Sequence, residues 1–170
     1  WISSSDNQHI EYAGKELKSD RKYYWKVQVK DEQGELSAWS RPAYWSTGLF
    51  EQTDWQATWI GSDIAFEPVD GNCNIPDPWL RKNVSLDSKP KQAIMFVASI
   101  GFHELYVNGK KITENIMAPL VNEHTTRASY VAYDIAEHLR KGDNTIALWL
   151  GVGWSIFSQY VTGDRPRTPM

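Results

Sequence analysis

The stretch "FHELYVNGKKIT", Phe102–Thr113, is the clearest local signal in the chain and predicts a β-hairpin. Its Asn108 and Gly109 both tolerate positive φ, and an Asn-Gly pair favours the two-residue type I′ turn between antiparallel strands. The segment before the pair, Phe102–Val107, is therefore a strand candidate. A hairpin of this kind indicates an antiparallel β-sheet protein.

Strand patterns continue on both sides of this hairpin. In "RKYYWKVQVK", apolar residues alternate with polar ones, and this period of two predicts a strand with one buried face: Tyr23, Trp25, Val27, Val29. The turn "DEQG", Asp31–Gly34, leads from it into a second aromatic strand, which predicts a second hairpin. Four further strands are predicted outside the first hairpin: Trp79–Leu86, Gln92–Ser99, Ser129–Tyr133 and Asn144–Gly151.

One short helix is predicted in "DIAEHLRKGDN", residues 134–144. Asp134 can cap its amino end, Glu137 stands three residues later as a capping-box partner, and Gly142 can take the left-handed closing position. Residues 49–61 lose the period of two and form the predicted linker between domains at 1–48 and 62–170. The sequence thus predicts an all-β chain of two antiparallel β-sandwich domains with one short helix.

Charge and hydropathy exclude some functions. The 170 residues include 18 basic and 21 acidic side chains, for a net charge of −3. This balance argues against a nucleic-acid partner, which needs a basic face. No apolar run approaches the roughly 20 residues that span a bilayer, so no membrane span is expected. The single cysteine excludes an internal disulfide and leaves periplasmic, extracellular and cytoplasmic locations open.

Motifs for catalysis are missing from the sequence. The "GVGW" stretch, Gly151–Trp154, follows a strand as a dinucleotide loop would, but it lacks the third glycine and a following helix. The four histidines show no metal-ligand spacing. Glycoside hydrolysis uses two carboxyl groups, and no pair stands out among the acidic candidates Glu104, Glu114, Glu123, Asp134 and Asp164. We therefore predict no catalytic residue in this chain.

One loop gives a weak metal signal. The segment "DGNCNIPD" brings four oxygen-bearing side chains close together, as a calcium site requires: Asp70, Asn72, Asn74 and Asp77. It lacks the bidentate closing glutamate of a calcium loop. A solvated polar loop is the alternative interpretation, and no other cofactor is expected.

Several stretches, taken in order, resemble one known family. The succession "SAWS", "DWQATWIG", "WLRK", the "NGKKI" hairpin, "MAP" and "YDIAEHLRKGDNTIALWLGVGW" is similar to the amino-terminal region of bacterial α-L-rhamnosidases of glycoside hydrolase family 78. The resemblance implies the end of a fibronectin-type-III-like domain, then a jelly roll similar to carbohydrate-binding modules, both truncated. It also implies that the catalytic acids lie downstream, in an (α/α)6 barrel that hydrolyses terminal rhamnose with inversion.

The resemblance further implies where a sugar would bind. In relatives whose jelly roll binds rhamnose with calcium, ligands are expected near the Asn-Gly hairpin and the Gly-x-Gly-Trp turn. The carbohydrate-binding candidates here are Asn108, Trp154 and Tyr160. The expected function is a non-catalytic accessory portion of a rhamnosidase that contacts a rhamnose-containing glycan. A structural spacer or interdomain docking module without a ligand, and a freestanding adhesin, are the alternatives.

Overall fold

A computed structural model of the chain describes residues 4–6, 9–61, 77–123 and 126–153. The chain divides into two compact units, Trp1–Ala57 and Thr58–Met170. Every pair of strands among these residues is antiparallel, and the helical elements there are two single 3₁₀ turns. The all-β prediction is confirmed, while the limits 1–48, 49–61 and 62–170 stay predictions.

The first unit is built on one hairpin. Strand β1, Lys22–Trp25, pairs with β2, Ala43–Ser46, so that Tyr23 lies opposite Trp45. The two rings stack with their centroids 5.0 Å apart. At the predicted turn, Gly34 has φ +89° and its backbone N–H donates to the carbonyl of Asp31 at 3.0 Å. The predicted hairpin and its glycine turn are confirmed.

The first predicted strand is shorter than its alternation suggested. The backbone N–H groups of Val27 and Val29 donate to the hydroxyls of Ser40 and Ser37, at 2.9 and 3.0 Å. These side-chain acceptors replace a regular ladder, so the strand ends at Trp25. The predicted buried face is also wrong, because Val27 and Val29 are exposed.

The described part of the second unit contains two sheets. Its strands are β3 Trp79–Leu86, β4 Ile94–Ala98, β5 Phe102–Val107, β6 Lys110–Lys111, β7 Tyr130–Asp134 and β8 Gly142–Gly151. The first sheet has four strands in the order β3, β8, β5, β6, and the second pairs β4 with β7. All five strands predicted after residue 77 are present, and the Asn-Gly turn has positive φ at both Asn108 (+52°) and Gly109 (+80°). The type I′ hairpin is therefore confirmed.

The core of the second unit lies between its sheets. Strand β5 alternates between partly exposed and buried residues, and Leu105 and Val107 are almost fully buried. They belong to one hydrophobic cluster with Val97 of β4 and Tyr133 of β7. A single cluster drawn from two sheets is the arrangement of a β-sandwich.

The predicted short helix over residues 134–144 is wrong. Strand β7 continues to Asp134, and only one 3₁₀ turn, Ala136–His138, follows it. The Asn144 amide donates to the carbonyls of Arg140 and Gly142 at 2.8 and 2.9 Å, and its oxygen accepts from the N–H of Arg140. These bonds compete with helical ones and hold the chain in a loop. Gly142, at φ +84°, begins β8 instead of closing a helix.

No helix of the described segments is long and apolar enough to cross a membrane.

Candidate functional site

The predicted sugar contact Asn108 has its side chain bonded within the protein. Its amide donates to the carbonyl of His138 at 2.8 Å and to Oδ1 of Asn144 at 2.9 Å. Its oxygen accepts from the N–H of Thr145 at 3.0 Å. The side chain thus ties the hairpin turn to β8 and the loop before it. A contact between Asn108 and a sugar stays a prediction.

The Gly-x-Gly stretch makes a close backbone contact. A Cβ atom on Gly153 would lie 2.9 Å from Cα of Gly101, and one on Gly101 would lie 2.3 Å from the carbonyl oxygen of Gly151. Real Cβ atoms do not approach so closely, so Gly101 and Gly153 permit the loop before β5 to pack against the end of β8. The other two candidates, Trp154 and Tyr160, lie outside the described residues.

The weak calcium prediction stays untested. Asp70, Asn72 and Asn74 lie outside the described residues, and Asp77, at the edge of the described segment, is exposed. Among the residues that the structure describes, no group of three or more His, Cys, Asp or Glu side chains could hold a metal ion.

A buried hydrogen-bond network runs through the core of the second unit. The Ser99 hydroxyl donates to the carbonyl of Gly101 at 2.7 Å and therefore accepts from Nδ1 of His103 at 2.8 Å. Nε2 of His103 then accepts from the Tyr133 hydroxyl at 3.0 Å. Burial lowers the pKa of His103 to about 4, so the ring is neutral at pH 7. Ser99 and His103 are both buried. A substrate therefore does not reach the Ser99 hydroxyl, and we assign this hydrogen-bond network a structural role.

A second cluster lies on the outer face of the four-stranded sheet, and sequence reasoning missed it. The rings of Trp79 on β3 and Trp149 on β8 are opposite each other, stacked with centroids 5.4 Å apart and planes 4° apart. Tyr106 on β5 lies 5.0 Å from Trp79, centroid to centroid, although β8 separates their strands. Trp79 is 53% exposed and Trp149 38%. We call Trp79, Tyr106 and Trp149 the aromatic face.

Two charged side chains adjoin the aromatic face, Glu104 on β5 and Lys111 on β6. Glu104 accepts a hydrogen bond from the Tyr106 hydroxyl at 2.8 Å and forms an ion pair with Lys111 at 2.5 Å. The bonds from Lys111 and Tyr106 lower the pKa of Glu104, and the bond to Glu104 raises the pKa of Lys111. Both groups therefore stay charged at neutral pH, and both remain about one quarter exposed.

The register extends this surface along the sheet. Directly opposed residues of antiparallel strands share one face. Ala147 of β8 lies opposite both Arg81 of β3 and Tyr106 of β5, so these three share the face on which Tyr106 lies. Successive residues of a strand point to opposite faces of the sheet. The sequence therefore contained one sign of this face, because Trp79 and Trp149 each stand next to a leucine that faces the core.

Comparisons with known proteins follow the two units. Residues 1–51 match the model of a Rha78A-like N-terminal immunoglobulin domain, and residues 88–169 match the α-L-rhamnosidase N-terminal domain. The chain belongs to the α-L-rhamnosidase family and corresponds to the N-terminal region of its members. The first match is named for an immunoglobulin domain, and the finer assignment to a fibronectin-type-III domain stays a prediction.

Individual α-L-rhamnosidases show the same relationship. The chain is 31% identical over 169 residues to an α-L-rhamnosidase of Formosa agariphila, covering 90% of this chain and 18% of the relative. The α-L-rhamnosidase structure from Dictyoglumus thermophilum aligns with TM-score 0.80 and 32% identity, over 91% of this chain and 18% of that one. The Aspergillus terreus structure aligns with TM-score 0.79 and 27% identity, over 89% and 17%. The chain thus spans less than one fifth of these relatives.

Proposed function

We propose that this chain is a non-catalytic accessory portion of a glycoside hydrolase that removes terminal rhamnose from glycans, and that its second unit contacts carbohydrate. The observation that carries the proposal is the alignment with an α-L-rhamnosidase structure over 91% of this chain but only 18% of that one. Most of that relative's sequence lies outside the aligned portion. We place the catalytic residues of the proposed hydrolase in that remaining part. The proposed partner is an (α/α)6 catalytic domain of the same protein.

The environment of Glu104 supports the non-catalytic role. Hydrolysis of a glycosidic bond needs a general acid, usually a carboxyl group whose pKa is raised. The bonds from Lys111 and Tyr106 instead lower the pKa of Glu104. A carboxylate held in its charged form can accept hydrogen bonds from sugar hydroxyls, but it has no proton to give to a leaving group.

Two measurements on the purified 170-residue chain test this proposal. Incubation with p-nitrophenyl α-L-rhamnopyranoside should release no nitrophenol above the blank. Calorimetric titration with methyl α-L-rhamnopyranoside and with a rhamnose-containing oligosaccharide should show saturable binding. Nitrophenol release that survives repurification would contradict the non-catalytic role, and absence of binding to both sugars would contradict the carbohydrate contact.

An exposed apolar loop supports a second candidate function, docking against another domain of the same protein. Four side chains in one loop are at least half exposed: Ile116, Met117, Leu120 and Val121. Leu120 reaches 82%. Exposed apolar patches mark contact surfaces, and these four exposed side chains all stand within residues 116–121.

A substitution in two contexts tests the docking function. Leu120→Ser should leave the melting temperature of the 170-residue chain unchanged and lower that of the full-length protein, where the loop is covered. Lys110→Ser, at an exposed polar position, is the control and should change neither. An equal effect of Leu120→Ser in both proteins would contradict docking.

A further inference from the structure

The aromatic face consists of rings whose positions are already fixed in the free protein. The two indoles are held parallel by their cross-strand pairing, and Tyr106 is held by its ring contact with Trp79 and its bond to Glu104. Yet Trp79 and Trp149 keep 53% and 38% of their surface open. Rings with fixed planes lose little side-chain freedom when a ligand covers them, which favours binding.

The polar groups beside the rings have unused bonding capacity. Each oxygen of Glu104 accepts one bond, from Lys111 or from Tyr106. A carboxylate offers about four acceptor positions and an ammonium group three donors. Glu104 can therefore accept from further hydroxyl groups, and Lys111 can donate to them. The cluster presents acceptors and donors within reach of one ligand at the border of an apolar surface.

This combination matches the chemistry of a pyranose. A pyranose has C–H groups on its ring faces and hydroxyl groups around its rim, and a 6-deoxyhexose such as rhamnose also replaces a hydroxymethyl group by a methyl group. We infer that the aromatic face, together with Glu104 and Lys111, binds the sugar rings of a rhamnose-containing glycan. The inference rests on the proposed carbohydrate contact and assigns it to a surface separate from Asn108.

The charges favour a glycan over a protein partner. Cores of protein–protein interfaces are depleted of charged residues, because charges lose water there without full compensation. The aromatic face instead borders the Glu104–Lys111 ion pair and lies on the same side of the sheet as Arg81. A glycan keeps such groups hydrated or bonded to hydroxyls, so it covers the rings at a smaller electrostatic cost.

Indole N–H signals in a ¹⁵N-correlated NMR spectrum of the 170-residue chain test the assignment. The chain has nine tryptophans, and Trp79→Phe, Trp149→Phe and Trp25→Phe identify three of the signals. On titration with methyl α-L-rhamnopyranoside or a rhamnose-containing oligosaccharide, the Trp79 and Trp149 signals should shift and saturate together. The signal of Trp25, an exposed indole of the first unit, should not move.

Alanine variants then measure the contribution of the rings. Trp79→Ala and Trp149→Ala should each weaken binding about tenfold or more, as the loss of an aromatic anchor does. Trp25→Ala, the matched exposed indole, should leave the dissociation constant within about twofold. Because the NMR shifts are read on the unaltered chain, they decide the site even where a variant fails to fold.

Each remaining outcome has one meaning. Saturable binding that leaves the Trp79 and Trp149 signals in place overturns the assigned site and keeps the proposed carbohydrate contact. No binding of either sugar overturns both. In a third outcome, the Trp79 and Trp149 signals do not shift on addition of sugar but do shift when the chain is part of the full-length protein. That result overturns the assigned site and shows that another domain covers the aromatic face.

Discussion

His103 on β5 and Tyr133 on β7 are joined by a hydrogen bond of 3.0 Å between the imidazole Nε2 and the phenolic hydroxyl. The two strands belong to different sheets, so this bond crosses the sandwich. Burial raises the pKa of Tyr133 and lowers that of His103. The hydroxyl therefore remains a donor and the ring remains neutral, which fixes the direction of the bond at neutral pH.

The stability of the second unit should fall in acid because of His103. Its pKa is about 6.5 in an unfolded chain and about 4 in the folded protein. The unfolded state therefore binds the proton more readily, and the contribution present above pH 6.5 is lost as the pH falls toward 4. The full difference is about 3 kcal/mol. Urea unfolding between pH 7.5 and 4 measures it.

The control for this pH dependence is His103→Gln, which lacks a group that titrates in this range. The variant should be less stable than the unaltered chain at pH 7.5, and the gap between the two proteins should shrink as the pH falls. Parallel curves for both proteins across the range would show that His103 does not carry the acid sensitivity.

Removal of the Tyr133 hydroxyl should destabilise the unit. Tyr133→Phe leaves Nε2 of His103 buried without its donor, which costs about 1–3 kcal/mol. Tyr24→Phe is a matched control, because Tyr24 is largely exposed, and it should change the free energy of unfolding by less than about 0.5 kcal/mol. Equal effects of the two substitutions in urea unfolding would contradict the role given to the bond.

Local chemistry explains what the sequence could predict. The Asn108–Gly109 turn and the bounds of β3 and β5 depend on residues adjacent along the chain, and the structure agrees with them. The helix predicted after Asp134 failed because Asn144 bonds the backbone of residues 140–142, a competition that the capping pattern does not reveal.

The aromatic face depends on register instead. Trp79 and Trp149 meet only because β3 and β8 pair residue by residue, and these strands lie far apart in the sequence. A period of two shows that each indole faces away from its neighbouring leucine, but it does not show which strands are neighbours. The apolar alternation from Tyr23 to Val29 misled for a related reason: Val27 and Val29 are exposed, and alternation along one strand does not show what packs against it.

Asn108 should prove structural in a test that also measures sugar binding. Asn108→Gly keeps the positive φ of the turn but removes three hydrogen bonds of the side chain. It should lower the free energy of unfolding by about 1–3 kcal/mol and leave affinity for methyl α-L-rhamnopyranoside within about twofold. Lys110→Ala is the control on the same turn and should change neither. A large loss of affinity with unchanged stability would instead make Asn108 a sugar ligand.

Two glycines in contact should differ sharply in their tolerance of a methyl group. A Cβ on Gly101 would lie 2.3 Å from the carbonyl oxygen of Gly151, a rigid backbone atom, whereas a Cβ on Gly151 would lie 3.8 Å from its nearest neighbour. Gly101→Ala should therefore cost about 2 kcal/mol or more, as overpacking does. Gly151→Ala should stay within about 1 kcal/mol of the unaltered chain, because it also reduces the entropy of the unfolded state. Thermal and urea unfolding of both variants measure the difference. If Gly151→Ala were as unstable as Gly101→Ala, the close approach of Gly101 to the Gly151 carbonyl would not be the reason for glycine at position 101.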